Sequence, residues 1–164
     1  MLFRRQTART LHDEHRTQLS LLGRVEAALM RLPRAADRSG GELQALLAAL
    51  AQQIDADTVR HFDFEERELF ARLDAAGAGD IAALLTEEHA AMRDVGAELA
   101  PLLAAARQGT LSDEGWPSLR QAALELVERQ VAHIQKEEMA LLPTLDELLD
   151  DDDDARLVMD YASS

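Results

Sequence analysis

The chain has no cysteine. That excludes disulfides, thiolate zinc sites, cysteine-ligated iron–sulfur clusters and thiol catalysis. Aromatic residues make up only 4% of the 164 positions, and lysine occurs once, at Lys136. Basic charge is scarce overall, 17 residues against 31 acidic ones for a net charge of −14. So acidic a chain argues against nucleic acid or an anionic membrane surface as its partner. No apolar run approaches the roughly 18 residues that a membrane span requires. Arg4 and Arg5 lead into no apolar stretch, so a secretory signal is not expected and the location is expected to be cytoplasmic. Any chemistry falls to His, Asp, Glu, Ser, Arg and the backbone.

What is present is an apolar fraction of 47%, enough for one domain with a sizeable core. The charge is uneven. Residues 146–164 hold eight acidic groups against Arg156, half of the net charge, and are expected to form an acidic C-terminal tail behind a domain over residues 1–145, with a short helix over Leu145 to Tyr161 and part of the tail solvated at the run Asp150 to Asp154.

Four long segments repeat apolar residues at steps of three and four, and strand signals are absent. They run from about Thr7 to Leu32, Glu42 to Asp74, Asp80 (as a cap) to Gln108, and Pro117 to Leu142. Gly-rich or Pro-containing loops separate them. Pro101 is expected to kink the third or end its regular part, and Pro143 to break or bend the fourth. The fold class expected is all-α, an antiparallel up-down-up-down four-helix bundle with a short acidic C-terminal extension.

The apolar stripes are interrupted where a plain bundle would keep leucine. His15 sits inside the first stripe and His89 inside the third. The second and fourth each carry a His and a Glu four residues apart, His61 with Glu65 and His133 with Glu137. Residues at that spacing lie one above the other on a helix, so both side chains reach one point. The positions also repeat: HFDFEERELFARLD (61–74) aligns with HIQKEEMALLPTLD (133–146), and DEHR (13–16) with EEHA (87–90). The chain therefore reads as two pseudo-repeated helical hairpins that bring four imidazoles and two carboxylates into one core.

Burying six such groups uncompensated is costly, and a metal replaces the solvation they lose. Imidazole with carboxylate suits iron, manganese or zinc, and two carboxylates with two imidazoles on either side suit a dinuclear centre. Around it, Asp57 is placed to accept an imidazole N–H from His61. His12, Glu66 and Glu138 are expected outside the ligand set, solvated or supporting it. Met92 and Met139 are expected in the core, and Trp116 and Tyr161 are too isolated to interpret.

At these residues the chain resembles the haemerythrin-like, or HHE cation-binding, family over about residues 8–146. The resemblance implies a four-helix bundle with a non-haem di-iron centre, its two ions oxo- or hydroxo-bridged, with iron ahead of manganese or zinc. By position, His15 and His61 would ligate one iron, His89 and His133 the other, and Glu65 and Glu137 would bridge them. It implies binding or sensing of dioxygen, nitric oxide, peroxide, or iron and redox state, or alternatively a di-iron enzyme that turns over peroxide or nitric oxide. Oxygen-carrying members place two His one turn apart on the third helix. Leu85 and Arg93 stand one turn either side of His89 here, which points away from reversible oxygen carriage.

Overall fold

Leucines recurring at three and four residues wind this chain into helices that each present one apolar stripe. The computed structural model describes residues 3–31 and 38–163, with Thr58 and Val59 described by their backbone alone. The expected end of the first helix at Leu32, before Pro33, lies outside the described residues. Helix α1 (Gln6–Met30) buries Leu11, His15, Leu22, Val25 and Leu29. Helix α2 (Gly41–Ala56) buries Leu46, Leu47 and Leu50. It continues as helical backbone through Asp57–His61, Phe62–Phe64, Glu65–Phe70 and Ala71–Ala75. Helix α3 (Gly79–Arg107) passes through Pro101 without ending there. Asp80 lies in its first turn rather than capping it, because the helix already begins at Gly79. Helix α4 (Gly115–Lys136) leads through Glu137–Leu141 into α5 (Leu142–Leu148), and α6 (Asp151–Ser163) follows.

The long helices close on one another as a helical bundle: α1 packs on α2 and α4, and α3 packs on the same two. Contacts run in opposite senses along neighbours. Glu14 meets His61 while Gln18 meets Asp57, and His12 meets Glu138 while the Leu29 carbonyl accepts from Arg120. Two apolar clusters fill the interior. One gathers Leu22, Leu29, Leu50, Leu99, Leu119 and Leu126, and the other Leu11, Leu69, Leu85, Leu141, Leu145 and Leu157. Each such side chain contributes roughly 1.5–3 kcal/mol by leaving water. In α1 and α3 the stripe histidine, His15 or His89, falls between the helix's contributions to these two clusters.

Among the described residues, three stretches are π-helical, Asp57–His61, Glu65–Phe70 and Glu137–Leu141, each touching a His-x-x-x-Glu pair. Wide turns of this kind cluster at functional sites and re-aim side chains relative to a regular helix. Pro143 therefore does not break the fourth segment. It follows the wide turn and enters the first turn of α5, where proline's missing N–H and fixed φ are tolerated. Ala71 occupies the equivalent place in the other repeat, so proline is not the general cause of the widening. Gly96 lets α3 approach α2 beside this region, since a Cβ there would stand 3.2 Å from Ile54 Cγ2.

The short helix expected within the acidic segment is present as α6, and Asp150, Asp151 and Asp152 are exposed, but the segment also docks on α1. Asp154 accepts the backbone N–H groups of Gln6 and Thr7 at 2.7 and 2.8 Å, and Asp146 accepts that of Arg5 at 2.7 Å. These are free donors at the N-terminus of α1, where negative charge is also favoured by the helix dipole. Leu157 and Tyr161 of α6 are buried against the second apolar cluster. The aspartates hid this stripe because its apolar members are few and widely spaced. Met92 is in the core as expected, but Met139 is 74% exposed, since it faces away from the Glu137 side of its turn.

Candidate metal centre

His15, His61, Glu65, His89, His133 and Glu137 are all buried and converge between the two apolar clusters. His61 Nε2 lies 3.1 Å from Glu65 Oε1, and His133 Nε2 lies 3.1 Å from Glu137 Oε1. Each Glu also faces the opposite hairpin: His15 Nε2 is 3.1 Å from Glu137 Oε2, and His89 Nε2 is 3.4 Å from Glu65 Oε2. His89 Nε2 and His133 Nε2 approach to 2.9 Å. The donor atoms form two overlapping groups. One comprises His15, His61, Glu65 and Glu137, and the other Glu65, His89, His133 and Glu137, with donor atoms within 4.8 Å of one another in each. Both carboxylates belong to both groups, the arrangement a dinuclear centre needs.

The outer nitrogens fix the ring orientations. His15 Nδ1 is 2.7 Å from Glu138 Oε1, and His61 Nδ1 is 3.2 Å from Glu14 Oε2. His89 Nδ1 is 2.9 Å from Glu66 Oε1, and His133 Nδ1 is 2.8 Å from Glu88 Oε2. An ionised carboxylate only accepts, so Nδ1 carries the proton on each ring and Nε2 is turned inward for a cation. Glu66 and Glu138 are thus supports for imidazoles rather than members of the inner cluster. His12 reaches the site through Glu138, at 2.9 Å.

Asp57 does not hold His61. Its carboxylate accepts from Gln18 at 2.9 Å and from Gln130 at 2.5 Å, tying α1, α2 and α4 together next to the centre. Glu14 and the Tyr161 hydroxyl, 3.0 Å from His61 Nδ1, stand in the place expected for Asp57. Glu14, Glu88 and Tyr161 are the residues that sequence reasoning missed. For the two glutamates a signal existed, because each directly precedes a stripe His in the aligned DEHR and EEHA segments. Tyr161 had none, since α6 reaches the site only through tertiary packing.

The electrostatics follow from burial opposed by pairing. Burial disfavours charge on His15, but the carboxylates of Glu137 and Glu138 overcome it and raise its pKa to about 9. His61 and His133 are likewise raised against burial, by Glu65 and Glu14 in one case and by Glu137 in the other. Glu137 is held well below the usual carboxylate range despite burial, chiefly by His133. Burial pushes the other way at Asp57, whose pKa rises.

All four oxygens of Glu65 and Glu137, and His15 Nε2, are buried yet make no hydrogen bond of acceptable geometry. Buried carboxylate oxygens left so are rare, and an ion among them would satisfy the whole set. Nitrogen and carboxylate oxygen are donors that iron, manganese and zinc accept. The residues present therefore fit a pair of such cations.

A comparison with curated proteins finds no match. The scan against family models matches the Hemerythrin HHE cation binding domain over residues 6–160, from the start of α1 into α6. That span contains all six converging side chains and the glutamates behind them, and the chain belongs to the hemerythrin HHE cation-binding domain family.

Proposed function

We propose that this chain is a non-haem di-iron protein that binds or senses a small ligand (dioxygen, nitric oxide or peroxide) or reports iron and redox state. The observation that carries this reading is the convergence of four imidazole Nε2 atoms on two buried glutamates whose oxygens lack hydrogen bonds. His15 and His61 would hold one iron, His89 and His133 the other, and Glu65 and Glu137 would join them, with manganese or zinc as poorer occupants. When bound, a di-iron pair supplies redox chemistry and open coordination positions for an exogenous ligand. The chain's own residues orient the imidazoles through Glu14, Glu66, Glu88 and Glu138 and keep the site dry between two leucine clusters.

The opposed senses of neighbouring contacts support an up-down-up-down arrangement of two pseudo-repeated hairpins. No helix among the described residues is long and apolar enough to cross a membrane, which is compatible with the cytoplasmic location we infer. Neither nucleic acid nor membrane is proposed as a partner, given the acidic composition.

A specific observation favours a second reading, turnover of peroxide or nitric oxide. A groove of about 510 Å³ reaches His61 between α1 and α2, lined by Glu14, Asp57 and Tyr161, groups able to hold or pass a proton. Adding excess hydrogen peroxide to the iron-loaded protein separates the two. A single stoichiometric spectral change is the result expected of a binder or sensor. Sustained oxygen evolution or peroxide consumption would overturn that reading in favour of the enzyme.

A further inference from the structure

The four glutamates behind the imidazoles do not have equal partners. Beside His15 and His61, Glu138 is met by the His12 ring at 2.9 Å and Glu14 by the Tyr161 hydroxyl at 2.5 Å. Beside His89 and His133, Glu66 accepts from the Arg93 guanidinium at 2.7 Å and Glu88 from the Lys136 ammonium at 2.6 Å. The repeat is broken at these places in the sequence. Lys136 aligns with Phe64 and Arg93 with Leu19, so neither permanent cation has a counterpart in the other half. Phe64 instead packs on the Tyr161 ring, 4.6 Å between centroids.

More distant charges do not restore the balance. Asp63 accepts from the far end of Arg93 at 2.9 Å, and the Arg60 guanidinium, 4.6 Å over the Tyr161 ring, acts on Glu14 through space without a hydrogen bond to it among the described residues. Both Asp63 and Arg60 are exposed, where solvent and salt screen them. The Asp57 carboxyl is buried on the His61 side. Among the described residues in hydrogen-bond contact, two carboxylates flank the first position with no Lys or Arg against them. The second position has two carboxylates each neutralised by a Lys or Arg.

We infer that the two metal positions are electrostatically unequal, so that a divalent cation fills the His15–His61 position first and is held there more tightly than at His89–His133. This rests on the dinuclear reading above. At the distances of an ion from charges behind its ligands, with the screening of a partly solvated shell, the preference is about tenfold. The same field favours the more highly charged state of an ion at the first position.

Mutual repulsion between two cations separates the binding steps whatever flanks them, so the decisive readout is which position fills. The full chain, stripped by chelation, is given one molar equivalent of zinc and crystallised, and the anomalous signal at the zinc edge is measured at each position. Stronger signal beside His15 and His61 is expected, and it should equalise in the Arg93→Gln/Lys136→Gln variant. These are partly exposed residues outside the inner cluster, and circular dichroism checks that the variant folds. Equal or reversed occupancy in the parent chain, or a preference unchanged in the variant, would overturn the inference. Zinc at neither position would overturn the dinuclear reading with it.

Discussion

The Tyr161 hydroxyl lies 3.0 Å from His61 Nδ1, joining a residue near the end of the sequence to an imidazole of the central cluster 100 positions earlier. The same hydroxyl donates to Glu14, which itself contacts that ring nitrogen. The C-terminal helix is therefore part of the site's support.

Truncating Glu14 should cost more than removing the hydroxyl. Glu14→Ala takes away the carboxylate on His61 Nδ1 and is expected to lower metal affinity about 10–100-fold, the usual cost of losing such a support. Tyr161→Phe keeps the ring on Phe64 and leaves Glu14 in place, so a smaller loss is expected. Competition against a chromophoric chelator measures both. Unchanged affinity in Glu14→Ala would show that His61 is oriented by something else.

The acidic run should act unevenly on stability. Asp154→Ala removes the acceptor for two free N–H groups of α1 and is expected to destabilise the fold by about 0.5–2 kcal/mol. Asp152 is exposed, and its replacement by Ala should stay within about 0.5 kcal/mol. Denaturant unfolding of the two variants tests this, and equal effects would contradict the docking of α6 on α1.

Stability and metal affinity should depend on pH in opposite directions. His15, His61 and His133 have pKa values raised in the folded chain, His15 to about 9. A raised histidine contributes stability that is complete below its unfolded pKa of about 6.5 and is lost as pH climbs through the folded value. With a chelator present, the urea midpoint should fall between about pH 6.5 and 9. Glu137, held low, loses its contribution only as the pH falls through its folded pKa, below the ordinary carboxylate range. Metal affinity should instead rise with pH, because ligation expels the imidazole protons, and an indicator dye should register their release. A midpoint in chelator that is flat or rising across that window would contradict the pairing described here.

Much of this was legible in the sequence, for physical reasons that also mark where legibility stopped. Helical periodicity is a local property, so the long helices could be read directly, and a His or Glu inside a leucine stripe is conspicuous. Matched spacing in both halves brought His15, His61, Glu65, His89, His133 and Glu137 together. Which carboxylate meets which outer nitrogen depends on how neighbouring helices are aligned, and one sequence does not display that. Asp57 departs from its expected place for this reason: one turn before His61 on the same helix, it is captured by Gln18 and Gln130 from two other helices. The wide turns at Glu65 and Glu137 leave no composition signature. The packing of α6 rests on Leu157 and Tyr161, too few apolar residues to stand out beside five aspartates.

The most direct test of the central claim is the iron content of the full chain after expression with iron and removal of loosely held metal. About two irons per chain are predicted, with ferric absorption in the near ultraviolet, and both should be lost in Glu65→Ala/Glu137→Ala. Iron near zero in the parent chain, or a content unchanged by that double substitution, would contradict it.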